Sequence, residues 1–377
     1  MEQKLKFGII GGGAGSFIAD LHRRGALFDG LSTLSAGCFS RDYQKTLSAG
    51  KEWGITDTDR LYGTYEEMAQ AEGRREDGID FVIIAAPNDT HYPCARSFLK
   101  NGIHVVCDKP LTHTSEQAKE LKRLAEEQDL LFAVTYVYSA YPAVRRMRAL
   151  VQEGVLGKLL TVDVRYVHGY LMSQKKNPHN DAWRFDKSRS GIAYCTADIG
   201  THAEQIISYI TGERLDSLCA RLEALSTLTE LDTNMHALLR YENGMSGMMW
   251  CSLVALGHAC DLSLGIYGEE AGVEWNRQDA EHFTLCYPDG SRSVYSAQNK
   301  PDRDSRDISH CRYPAGHPES VCESFANIYY DFQQALLAKK AGRPYPCRYP
   351  DIHDGIRGVQ FIEACVKSSA LQAWVRV

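Results

Sequence analysis

Residues 6–24, KFGIIGGGAGSFIADLHRR, bring a short apolar run, a glycine-rich turn and a helical pattern together in immediate succession. Lys6 to Ile10 predicts a buried first strand, and Phe17 to Arg24 predicts a helix. Between them, Gly11-Gly12-Gly13-Ala14-Gly15-Ser16 matches Gly-x-Gly-x-x-small. In that pattern Gly11 permits the tight turn, Gly13 lets the backbone approach a pyrophosphate, and Ser16 keeps the helix close to the sheet. Gly15 and Phe17 complete the loop, and the helix N-terminus turns its N–H groups toward phosphate oxygens. A glycine run alone is an ordinary turn. Its position between a first strand and a first helix makes it a dinucleotide loop.

Downstream, Leu34–Phe39, Phe81–Ala85, His104–Cys107 and Leu131–Thr135 read as further strands alternating with helical patterns, the signature of a doubly wound parallel sheet. Thr114 and Gln117 form a capping box ahead of Ala118, Leu121 and Leu124, whose spacing gives one buried helix face. The end of the second strand is where an acid selects NAD and an arginine favours NADP. Here it reads Phe39-Ser40-Arg41-Asp42, which leaves both cofactors open: Ser40 and Arg41 suit a 2′-phosphate, Asp42 a ribose diol, and Arg41 also suits stacking on adenine.

From about Ser139 the pattern changes. Tyr141–Gly157 reads as a helix and turn, Thr161–Val167 alternates apolar and polar residues, and Asn243-Gly244 and Asp289-Gly290 are hairpin signals. These features predict two domains, residues 1–138 and residues 139–377, the second an α/β domain with a large, open, mostly antiparallel sheet. Phe325, Ile328, Tyr329, Phe332 and Leu336 form an apolar helical stripe, and Ile356, Val359, Ile362 and Val366 form another.

The 377 residues are 44% hydrophobic and 24% charged, and the net charge of −6 argues against nucleic acid as a partner. Apolar runs such as Phe81–Pro87 are too short to span a bilayer, so no membrane partner is expected. The N-terminus does not read as a signal peptide, which predicts a cytoplasmic protein. Twelve cysteines are scattered without a Cys-x-x-Cys pair, which predicts reduced, structural thiols and no metal.

Two further segments carry chemistry. Ala86-Pro87-Asn88-Asp89-Thr90-His91 and Cys107-Asp108-Lys109-Pro110 follow successive strands, at the strand ends where ligands bind in doubly wound sheets. Gly191–His202 places Asp198 and His202 four residues apart, on one face of a helix. Singly, such a lysine is an ordinary surface charge and such an Asp/His pair a helix brace. With the Gly11 loop, Asn88, His91, Asp108-Lys109-Pro110 and Asp198-Ile199-Gly200-Thr201-His202 in this order, the chain resembles the Gfo/Idh/MocA oxidoreductase family over essentially its whole length. Two departures stand out: Asp108 takes the place of the commoner Glu, and the usual glycine triplet before Asp198 is reduced to Ser190-Gly191-Ile192.

The resemblance implies a Rossmann domain followed by a substrate domain whose open sheet often mediates assembly, here as a homodimer or homotetramer. It implies NAD or NADP held by Gly11, Gly13, Gly15, Ser16, Phe17, Ser40, Arg41, Pro87, Asn88, His91, Asp108 and Lys109. It also implies hydride exchange with a hydroxyl carbon of a sugar, glycoside or cyclitol, with Lys109, Asp198 and His202 as catalytic and substrate-contacting residues. A histidine suits proton acceptance near neutral pH, and a lysine suits charge developing on oxygen. Trp183-Arg184 combines an aromatic plane with hydrogen-bond donors, the mixture carbohydrates require, and His317 sits between Gly316 and Pro318 in a loop. These two segments, with the Gly-Ser-Phe-Ile opening at Gly15 to Ile18, resemble a subgroup with levoglucosan dehydrogenase and glycoside 3-dehydrogenases, which implies a 3-keto product. Tyr136, Tyr138, Tyr166 and His168 are further pocket-wall candidates. A redox-neutral glycoside hydrolase or lyase with retained NAD, and a non-catalytic dinucleotide sensor, are the competing readings.

Overall fold

A computed structural model of the protein describes residues 4–13, 15–174, 182–298, 311–314 and 316–377. The chain forms two compact units, Met1–Val137 with Cys322–Arg357, and Tyr138–Val321 with Gly358–Val377.

In the first unit, β1 (Leu5–Ile10), β2 (Ser32–Cys38), β3 (Phe81–Ile84), β4 (His104–Cys107) and β5 (Phe132–Val134) form a parallel sheet in the order β2-β1-β3-β4-β5. All four β3 residues are buried, as a parallel strand covered on both faces requires. Phe7 stacks on Phe81 at 5.4 Å between ring centroids, and Phe332 meets Phe81 edge-on at 5.3 Å. Phe332 belongs to the helix Val321–Lys340, whose predicted stripe is buried throughout. Farther along, the Pro350 carbonyl accepts the Val134 N–H at 2.9 Å and so covers the β5 edge. The Thr114 hydroxyl caps the helix Ser115–Glu127, as expected, by accepting the Gln117 N–H. The Gln117 amide oxygen accepts the N–H of His113 rather than that of Thr114, so the box closes one residue early.

In the second unit, β6 (Leu159–Val167), β7 (Leu215–Glu223), β8 (Asn234–Tyr241), β9 (Ser246–Ser252), β10 (Asp261–Gly268), β11 (Gly272–Asn276), β12 (His282–Cys286), β13 (Arg292–Ser296) and β14 (Val375–Arg376) form a single sheet. Its order is β13-β12-β11-β10-β6-β9-β8-β7-β14, antiparallel throughout except for the β6–β9 pair. Both predicted hairpin turns form, Asn243-Gly244 between β8 and β9 and Asp289-Gly290 between β12 and β13. One face is lined by Val162, Val164, Tyr166, Met235, Leu239 and Met249, all buried. The helix Thr201–Thr211 contacts β6 and is buried at every position except Tyr209. The opposite face leaves Leu238 54% and Met248 60% exposed. Among the described residues, no helix is long and apolar enough to cross a membrane.

Candidate active site

The first unit carries the glycine loop. Gly11 has φ +83°, and a Cβ there would fall 2.6 Å from the Ala85 carbonyl oxygen at the end of β3, so the turn after β1 admits only glycine. A Cβ on Gly12 would fall 2.4 Å from that of Ala19, which makes Gly12 the point of closest approach between loop and helix. The helix Phe17–Leu27 starts without a side-chain cap from Ser16, and Phe17 is 74% exposed. A backbone cradle that a Cβ would fill, followed by an uncapped helix start, fits the pyrophosphate of a dinucleotide. At the β2 end, Asp42 caps the helix Tyr43–Glu52 by accepting the Gln44 N–H at 3.0 Å, and the Ser40 hydroxyl accepts the Asp42 N–H at 3.1 Å. Arg41 is exposed beside them.

Pro87 and Asn88 begin the helix Asn88–Lys100. In its first turn lies His91, with Nδ1 2.8 Å from the Pro110 carbonyl oxygen and Nε2 2.9 Å from that of Ala86. Its ring therefore braces the loop after β3 against the loop after β4. Burial pushes the His91 imidazole down in pKa, against the charge of Asp108. Asp108 accepts the Lys109 N–H and the Thr135 hydroxyl, both at 2.9 Å, and His22 Nε2 stands 3.9 Å away. Burial raises the Asp108 carboxyl, but the His22 imidazole, the Lys109 ammonium and the His91 ring outweigh burial and hold it well below the usual carboxylate range. His22 is held in turn, with Nδ1 2.6 Å from the Tyr329 hydroxyl. Lys109 precedes a cis peptide bond to Pro110.

The second unit carries Asp198 and His202. Asp198 lies in a π-helical turn, Thr196–Gly200, that leads into the helix Thr201–Thr211. The expected single α-helix is therefore widened at its start, a distortion that recurs at functional sites. The Thr201 N–H reaches back to the Thr196 carbonyl, and the Thr201 hydroxyl bonds the Ala197 carbonyl at 2.9 Å. Around His202, the Tyr138 ring stands edge-on at 4.8 Å and the Tyr166 ring at 6.3 Å, their hydroxyls 2.5 Å apart. His168 follows at 6.2 Å from Tyr166. Two of the four pocket-wall candidates, Tyr138 and Tyr166, thus stand against His202, with His168 against Tyr166, whereas Tyr136 is buried in the first unit. Arg184 stacks over Trp183 at 4.5 Å. His317 is exposed, its Nδ1 3.2 Å from the Pro314 carbonyl oxygen. Asp181 and Ala315, which flank these two segments, lie outside the described residues.

Comparison with known proteins bears directly on these two units. Residues 5–136 match an oxidoreductase family model described as an NAD-binding Rossmann fold, and residues 144–274 match a GFO/IDH/MocA C-terminal domain. The uncharacterized oxidoreductase YfiI of Bacillus subtilis (strain 168) is 33% identical, covering 98% of this chain and 95% of its own. The chain belongs to the GFO/IDH/MocA oxidoreductase family. Two solved structures of an inositol dehydrogenase homolog from Azotobacter vinelandii, each 30% identical, cover 100% of this chain and 98% of theirs. One is complexed with NAD+ (TM-score 0.94), the other with NADH and myo-inositol (TM-score 0.91). Levoglucosan dehydrogenase of Pseudarthrobacter phenanthrenivorans is 24% identical over 79% of this chain and 80% of its own.

The protein is therefore an NAD-binding enzyme of this oxidoreductase family, with a parallel Rossmann sheet and a large, mostly antiparallel second sheet. His22, Thr135 and Asp232 lie outside the GFO/IDH/MocA motifs legible in the sequence. His22 lies in the first helix with no local link to Asp108, and Asp232 is 36 residues from Thr196, which its side chain bonds. Such long-range pairing leaves no periodic signal.

Proposed function

We propose that this enzyme transfers hydride between nicotinamide and a hydroxyl-bearing ring carbon of a sugar, glycoside or cyclitol, with Lys109, Asp198 and His202 as its catalytic residues. The observation that carries this reading is His202, set in a wall of phenols one turn beyond Asp198, in a family member whose other unit is an NAD-binding domain. When bound, the nicotinamide supplies the hydride acceptor. His202 takes the hydroxyl proton at Nε2, its Nδ1 being buried. The Lys109 ammonium donates a hydrogen bond to the reacting oxygen and stabilises its developing charge. Asp198 accepts from a neighbouring substrate hydroxyl and so orients the ring. In the cofactor loops Gly11, Gly13, Gly15, Ser16 and Phe17 meet the pyrophosphate, Ser40 and Arg41 the adenosine ribose, and Pro87, Asn88 and Asp108 the nicotinamide half, with His91 as brace.

The substrate class draws support from relatives whose names specify inositol and levoglucosan, both polyhydroxylated rings. Trp183 with Arg184, and His317, contact the sugar in this reading, and a glycoside oxidised at C3 gives a 3-keto product. The exposed face around Leu238 and Met248 pairs with a second copy of the chain, as a homodimer or homotetramer. A cytoplasmic location, with its nicotinamide pool, belongs to the same reading. The test is to incubate the purified protein with NAD or NADP and a panel of inositols, sugars and glycosides while following reduced nicotinamide. A cyclitol or sugar that yields reduced cofactor and a carbonyl product supports the reading. Glycoside cleavage without net reduction would overturn it in favour of a redox-neutral enzyme.

A further inference from the structure

Asp232, in the loop between β7 and β8, reaches across the second unit to the segment that carries Asp198. Its Oδ1 accepts the Tyr194 N–H at 2.6 Å, and its Oδ2 accepts the Thr196 N–H at 2.8 Å and the Thr196 hydroxyl at 2.7 Å. The Asp232 main-chain oxygen adds the Cys195 N–H at 3.0 Å. Three consecutive residues, the last of which opens the π-helical turn, are thus held by one aspartate. The Asp232 side is itself fixed to the sheet, because Thr233 bonds Glu223 at the end of β7 and accepts the Leu253 N–H beyond β9. At the other end of the grip, the Tyr194 carbonyl accepts the Asp198 N–H at 2.8 Å, and the Thr196 carbonyl accepts that of Thr201.

The carboxylate is 7% exposed, and burial pushes it up in pKa, against the hydrogen bonds from Thr196 and Tyr194. Burying an acid is costly unless its acceptor capacity is used. Here that capacity goes to ordering the backbone that sets where Asp198 and His202 point. We infer that Asp232 is the positioning residue for this pair, tying the π-helical turn to the sheet so that both side chains keep one register. The inference rests on the assignment of Asp198 and His202 made above.

The test compares Asp232→Asn, Asp232→Ala, Thr196→Val and His202→Ala in the full-length enzyme, on its best substrate. Asparagine keeps the shape but turns an amide donor toward N–H groups that need an acceptor. It should lower kcat by on the order of 10²-fold, the cost of a displacement near 1 Å at a reacting group, and move the pH profile of kcat/KM. Binding of NAD, followed by fluorescence quenching, should stay within about two-fold, since the glycine loop belongs to the other unit. Thr196→Val removes only the hydroxyl bond and should cost less than Asp232→Asn. Combined with His202→Ala, Asp232→Asn should add little, because the two act as a unit. If Asp232→Ala does not fold, Asp232→Asn decides the matter. A folded Asp232→Asn with wild-type kcat and pH profile, beside an inactive His202→Ala, overturns the role of Asp232 alone. Full activity in His202→Ala overturns the catalytic assignment and this inference with it.

Discussion

Asp108 gathers the interactions that fix the Lys109 loop: the Lys109 N–H, the Thr135 hydroxyl and the nearby His22 ring. Because its folded pKa lies below the unfolded value of about 3.9, Asp108 contributes stability that is present above that value and lost as pH falls through the folded pKa. Asp108→Asn should therefore be less stable than wild type near neutral pH, with the gap narrowing toward pH 3 in urea unfolding. A gap constant with pH would contradict the depressed pKa. Arg41 makes a second case. Arg41 and Asp42 are both exposed at the β2 end, with the Asp42 carboxylate engaged as a helix cap. Arg41→Ala should cut kcat/KM for NADP by about ten-fold, equivalent to about 1.4 kcal/mol, while changing that for NAD much less. At this scale the sequence motifs named Asp108, Lys109, Asp198 and His202, but not what holds them. His22 reaches Asp108 and Asp232 reaches Thr196 only after folding, and neither contact follows a local spacing.

Among the elements, the helix Phe17–Leu27 is constrained on two sides, since it meets the glycine loop at Gly12 and the helix Val321–Lys340 at Gly25. A Cβ on Gly25 would fall 3.0 Å from Phe325 Cβ and Tyr329 Cδ2, and 3.1 Å from the Phe325 carbonyl carbon. Alanine favours a helix over glycine by about 1 kcal/mol, whereas overpacking costs about 1–3 kcal/mol. One of the contacts is backbone and cannot swing aside, so overpacking wins. Gly25→Ala should lower the melting temperature and also disturb the His22–Tyr329 bond; a raised melting temperature would show that the helices part easily. The strand periods and the Asn243-Gly244 and Asp289-Gly290 turns were legible because hairpin chemistry is local. The π-helical turn was not: it depends on Thr201 bonding Ala197 with its hydroxyl while its N–H goes to Thr196.

At the level of the whole molecule, the alternation of strands and helices, followed by antiparallel pairs, was enough to read a Rossmann sheet and a second open sheet. The membership of Cys322–Arg357 in the first unit was beyond that reading, because the Phe325–Leu336 stripe marks a buried face without naming what covers it. The outer face of the nine-stranded sheet has the opposite character, with Leu238 and Met248 paired across β8 and β9 and exposed together. If a second copy covers them, Leu238→Lys combined with Met248→Lys should yield monomers in sedimentation while preserving the fold. An unchanged assembly would exclude this face. The central claim is that Lys109 and His202 serve hydride transfer at a ring hydroxyl, and it is tested most directly by following reduced nicotinamide with the best substrate for wild type, Lys109→Ala and His202→Ala. Wild type should reduce cofactor stoichiometrically and each variant should lose at least about 10²-fold, the lower range for positioned acid–base groups, with NAD binding retained in His202→Ala. Full rates in both variants would contradict it.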